Sequence, residues 1–178
     1  MEYSKEEGKI LLKLARDSIM EEFNSVKPEL PTDKKFRQAR GVFVTLTENG
    51  KLRGCIGFPY PNFALNSAVY KAAKEAAFSD SRFKKITENQ MNNIKIEISI
   101  LSSPIEIKDI KEIKVGVDGL ICNFMGMSGL LLPQVAIEFK LDRIGFLEAL
   151  CNKAGLPKDN WQNDNFKLWK FQAEIFSE

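Results

Sequence analysis

Cys55 stands between two glycines in the hexapeptide Leu52-Arg53-Gly54-Cys55-Ile56-Gly57, in a chain that contains no histidine. A thiol cleared of bulky neighbours and close to an arginine has the makings of a nucleophile or a binding position. A nearby cation or helix N-terminus lowers a cysteine pKa from about 8.5 into the range of about 3.5–7.5. A fall of two units requires roughly 3 kcal/mol of preferential thiolate stabilisation. The absence of imidazole removes Cys-His dyads, Ser-His-Asp triads and His-based zinc or non-haem iron sites. Carboxylates, Lys, Tyr and Cys remain as proton-transfer groups, and Glu75, Asp80, Glu97, Asp118 and Glu138 are the acidic candidates. Each of these acids has an ordinary alternative as a surface group. Cys55 has one too, as a small buried hydrophobe with the glycines serving packing. Cys122, alternating with Leu120 and Phe124, and Cys151, on a helical stripe, read as core residues.

Arg53 is the cation nearest to Cys55 in sequence, and it is expected to reach the thiol only if the strand bends there, as the flanking glycines allow. A second set of donors is expected from the N-terminus of a helix beginning near Asn62, whose free amides attract anions.

The elements that must position these groups follow from periodicity. Ser4 and Glu7 form a capping box, and Leu11, Ala15, Ile19 and Phe23 recur at helical spacing, predicting a helix from about Lys5 to Phe23. Gly41 to Thr47 is β-branched and aromatic, Asn49-Gly50 is a two-residue turn signal, and Lys51 to Ile56 pairs back, so the hexapeptide closes a hairpin. Asn62 to Phe78 has a helical stripe rich in alanine, and Ile94 to Ile100 alternates as a strand. Leu120 to Phe124 and Leu130 to Leu132 make a second hairpin around a Gly126-Met127-Ser128-Gly129 turn. Asp142 caps a helix that runs to Ala154 and stops at Gly155-Leu156-Pro157. Trp169, Phe171, Ala173 and Ile175 alternate as one long strand expected inside the sheet. Helices interleaved with hairpins predict an α+β fold, a mainly antiparallel sheet flanked by helices.

At 178 residues the chain fits one domain, residues 1–178, with two lobes sharing a core as a variant. A formal charge of +2 is too small for a dedicated nucleic-acid or membrane footprint. Lys34, Lys35, Arg37 and Arg40 form the one basic run that offers a phosphate contact, against its reading as a solvated loop. Three widely separated cysteines make neither a disulfide framework nor a zinc ribbon and point to a reducing, cytoplasmic setting. No apolar run approaches the roughly 18 residues of a membrane span.

By its hexapeptide the chain resembles the AMMECR family. Gly41-Val42-Phe43-Val44-Thr45-Leu46, Ala76-Ala77-Phe78 with Asp80, Arg82 and Phe83, Glu97-Ile98-Ser99, Gly129 through Ala136, Phe146-Leu147 and Cys151 through Pro157 extend the likeness across nearly the whole chain. Ser81 and Leu141 depart from it, standing where the family often has proline and tryptophan. The resemblance implies an α+β fold of two unequal lobes with the hexapeptide facing a cleft between them, and no established activity. It implies Arg53, Gly54, Cys55 and Gly57 as site residues, with Asp80, Arg82 and Gln134 as further cleft candidates. It also implies shared chemistry or a complex with a Memo-like protein and a radical SAM enzyme. No cofactor is implied. Three functions stay open: a ligand- or partner-binding accessory protein, a cysteine-dependent enzyme in which Cys55 attacks while Arg53 stabilises charge, and, more weakly, a nucleic-acid-binding protein.

Overall fold

The computed structural model describes residues 3–178 and divides the chain into two compact units. The first runs to Leu101 and takes up the chain again at Glu174–Glu178; the second is Ser102–Ala173. Each has a four-stranded antiparallel sheet of its own.

The first unit opens with α1 (Lys5–Asn24), started by the Ser4–Glu7 capping box. Strands β1 (Gly41–Glu48) and β2 (Lys51–Phe58) form the expected hairpin, with Asn49 and Gly50 both at positive φ in its turn. They are followed by α2 (Leu65–Phe78) and β3 (Ile94–Leu101). With β8 (Ala173–Ser177) the sheet order is β2-β1-β3-β8. Val42, Val44 and Leu46 of β1 and Ile94, Ile96, Ile98 and Ile100 of β3 form one face, buried with Leu11, Ala15 and Ile19 of α1 and the alanines of α2. Burying each large aliphatic side chain stabilises by about 1.5–3 kcal/mol, so this layer is the principal source of the unit's stability. By alternation, Phe43, Thr45, Glu97 and Ser99 project from the opposite face.

In the second unit the sheet order is β4-β7-β5-β6, from β4 (Ile105–Ile107), β5 (Gly119–Phe124), β6 (Met127–Leu131) and β7 (Lys167–Phe171). Helices α3 (Pro133–Glu138) and α4 (Arg143–Lys153) complete it. Leu120, Cys122, Phe146, Leu147, Leu150 and Leu168 form its core. Cys122 and Cys151 are both buried, and burial pushes the Cys122 thiol up to about 11, so it carries no thiolate at neutral pH.

Two strand expectations change, and one short helix is additional. The long C-terminal strand breaks at Gln172, whose amide donates to Ser102 Oγ and whose carbonyl accepts from the Ser102 amide, both at 2.9 Å. β7 is interior to the second sheet, whereas β8 is an edge of the first. The β5–β6 turn is Met125-Gly126, both at positive φ, and Met127 already pairs with Phe124. Residues 133–138 form α3, with Pro133 in its first turn, where a missing amide hydrogen costs nothing. Among the described residues no helix is long and apolar enough to cross a membrane.

Candidate functional site

Arg53, Gly54, Cys55 and Gly57 lie on β2, an edge strand of the first sheet. The register slips between Leu46 and Thr47, which pair with Gly54 and Leu52, leaving Arg53 as the extra residue of a bulge. The strand therefore bends at Arg53, but the guanidinium does not spend its donors on the thiol. Nη1 and Nη2 donate to the carbonyls of Lys84 and Lys85, and Nε lies 3.9 Å from Glu48. Arg53 thus ties the segment that follows α2 to the hairpin.

The glycines answer to close approach. A Cβ on Gly54 would lie 2.1 Å from the Ala76 carbonyl oxygen, and one on Gly57 would meet Val42 O at 2.3 Å and the Phe43 ring at 2.4 Å. Contact at Gly54 also shows which end of α2 meets the hexapeptide. It is the C-terminal turn, so the helix N-terminus expected to supply amides to the thiol is at the far end, and α2 starts at Leu65 instead of near Asn62. A helix C-terminus carries partial negative charge and does nothing to stabilise a thiolate.

Residues just beyond that turn reach the rim of β2 directly. The Cys55 amide donates to Asp80 Oδ2 at 2.9 Å, and the Cys55 carbonyl accepts from Arg82 Nη2 at 3.3 Å. Asp80 and Arg82 are joined by Nε to Oδ1 at 3.0 Å and Nη2 to Oδ2 at 2.7 Å, a two-pronged pair. Asp80 is 7% exposed, and the Arg82 guanidinium and the backbone donors hold its carboxyl well below the usual carboxylate range. The pair fills the outward hydrogen-bonding positions that an edge strand otherwise leaves open.

With its amide and carbonyl turned outward, Cys55 forms a non-hydrogen-bonded cross-strand pair with Thr45, the pairing in which side chains come closest. Thr45 Oγ1 donates to Cys55 Sγ at 3.3 Å, and Cys55 is only partly buried. On its other side Thr45 pairs with Glu97 of β3, so thiol, hydroxyl and carboxylate occupy one row across three strands. Glu97 is partly buried, and that burial pushes its carboxyl up. Thr45 carries no signal of its own in the sequence, and counting back from Asn49-Gly50 would set Val44 opposite Cys55; the bulge at Arg53 shifts the register by one and places Thr45 beside the thiol.

Gln134 is in α3 of the second unit, where its Oε1 is buried without a hydrogen-bond donor among the described residues. Glu75, on α2, Asp118 and Glu138, the other sequence candidates, do not join the row; Asp118 accepts from the Lys114 amide at 2.9 Å. In the basic run, Lys35 lies 3.1 Å from Glu7, and Arg40 donates to Gln38 and to the Ala39 carbonyl. No three His, Cys, Asp or Glu side chains among the described residues are grouped to hold a metal ion.

These features define an α+β protein with a thiol–hydroxyl–carboxylate row beside a clamped strand edge. The chain belongs to the AMMECR1 family, whose profile matches residues 12–176. A protein of Methanothermobacter thermautotrophicus is 44% identical over 98% of this chain and 96% of its own length. Protein TV1384 of Thermoplasma volcanium is 42% identical over 93% of this chain and 86% of its own. The crystal structure of the uncharacterized protein PH0010 from Pyrococcus horikoshii is similar with a TM-score of 0.89 at 42% identity, covering 96% of this chain and 91% of that one.

Proposed function

We propose that this protein is a binding or accessory component, with a small ligand or partner segment seated at Cys55 and Thr45. The observation that carries this reading is the thiol's setting. Cys55 is partly exposed and its Sγ receives the Thr45 hydroxyl, while the backbone of the same residue is fixed at both polar atoms by Asp80 and Arg82. Such fixing lowers the ordering cost of binding. Arg53 and Arg82 are both committed to other groups, and no histidine stands by as a base, which favours recognition over autonomous turnover. Through the family resemblance, Memo-like and radical SAM proteins are the proposed partners. Co-purification with them under reducing, anaerobic conditions is expected and should survive Cys55→Ser; absence of any association would remove the stable complex.

A second reading, Cys55 as nucleophile, is favoured by the Thr45 hydrogen bond, since a hydroxyl donor to sulfur stabilises the thiolate. On this reading intact-mass kinetics show iodoacetamide alkylating folded protein at Cys55 faster than a model thiol. Thr45→Val then slows the reaction by roughly fivefold, the equivalent of one hydrogen bond of about 1 kcal/mol. A rate no higher than the model thiol's would end the nucleophile and leave the binding role standing. A nucleic-acid role through Lys34, Lys35, Arg37 and Arg40 is the weakest reading, and it is rejected if a salt titration shows no salt-sensitive affinity.

A further inference from the structure

We infer that the Cys55–Thr45–Glu97 row selects ligands bearing a primary ammonium, with Glu97 as the counter-charge at one end and the Cys55 sulfur at the other. The inference rests on the reading of Cys55 as an accessible binding position and names what that position accepts. Cys55, Thr45 and Glu97 are consecutive partners across β2, β1 and β3. With strands about 4.8 Å apart, the two ends of the row are separated by roughly 10 Å of backbone, the reach of a short aliphatic chain ending in a charge.

Glu97 has no hydrogen-bond or ion-pair partner among the described residues, and burial alone accounts for the rise in its carboxyl pKa. A carboxylate partly withdrawn from water without a partner is unfavourable, and an incoming cation offsets that cost. The cations at the Cys55 end of the row are already engaged: Arg82 is held by Asp80, and Arg53 is held by the Lys84 and Lys85 carbonyls and Glu48. Lys95, the next residue on the same face of β3, is exposed and forms no ion pair with Glu97. The carboxylate is therefore the uncompensated charge of the row.

Charged methanethiosulfonates test this on the intact protein. The Cys55 thiolate displaces methanesulfinate and forms a mixed disulfide carrying either an aminoethyl or a sulfonatoethyl group, and peptide mapping separates it from the buried Cys122 and Cys151. Relative to an uncharged model thiol, the cationic reagent should be favoured by about tenfold over the anionic one, the size expected for one charge acting at close range in a largely solvated setting. Glu97→Gln should return the ratio to that of the model thiol. A ratio unchanged by Glu97→Gln, or a preference for the anionic reagent, overturns the inference while leaving the accessible thiol intact. Labelling by neither reagent, in protein that labels once denatured, removes the accessible thiol and both readings together. Wild-type protein gives a second measurement that needs no variant: butylammonium should slow alkylation by neutral iodoacetamide and butyrate should not, and equal effects overturn the inference.

Discussion

Asp80 shows how one side chain serves several neighbours. Its two oxygens accept from the Cys55 amide, the Arg82 amide and the Arg82 guanidinium, and the side chain is 4% exposed. Arg82 is mostly in solvent, so the ion pair as such counts for little. The larger consequence of losing the carboxylate is a partly buried amide left without an acceptor. Asp80→Ala, which removes both acceptor oxygens, should therefore lower stability by about 1–3 kcal/mol, read from urea denaturation midpoints. The sign with pH follows: the folded protein holds this carboxyl below its ordinary value of 3.8, so the stability it adds is complete above that value. It is lost progressively as pH falls further, and the acid arm of the stability profile should be shallower in the Asp80→Ala variant. The sequence placed Asp80 and Arg82 near the hexapeptide through family likeness alone, because a contact across 25 residues leaves no periodic trace.

At the scale of elements, most of the architecture was written in local pattern. Ser4 with Glu7, Asn49-Gly50 and Asp142 with Gly155 mark their helix ends and hairpin turn by chemistry that does not depend on tertiary contacts. The direction of α2 against β2 was not legible, since an alanine-rich face suits either end of the helix. Gly54 settles it by admitting the Ala76 carbonyl against the strand. Gly54→Ala should destabilise by about 1–3 kcal/mol, because the obstructing atom is backbone and cannot rotate away. Thermal melts check this, and the expected outcome is a reduced Tm even though the substitution raises β propensity. A silent Gly54→Ala would mean that the helix end yields freely, and the glycine would then need a different explanation.

For the whole molecule, two lobes were expected, but the boundary between them escaped the sequence because Trp169 to Ile175 alternates without interruption across the change of sheet. Gln172 breaks the strand through bonds to Ser102, a residue 70 positions earlier. The first unit consequently depends on the last residues of the chain. Glu178 receives two donors from Arg16 and one from the Ile96 amide, while Phe176 lies against Gly8, where a Cβ would meet its ring at 2.1 Å. Arg16 in turn donates to the carbonyls of Met91 and Ile94. Removal of residues 174–178 should expose β3 as a new edge and deprive Arg16 of its carboxylate partner. Faster amide hydrogen exchange is expected along β3 and α1, together with a lower Tm. Unchanged exchange in β3 would show that the closing strand is dispensable.

The Asp80–Arg82 fork has one more consequence, concerning how copies of this protein behave in a crowded solution. A bare strand margin invites a second chain to zip alongside and start a fibril, and here the margin is stoppered at Cys55. Acid that protonates Asp80 would draw the stopper, so self-association at low pH should begin at this margin and leave the thiol trapped within it.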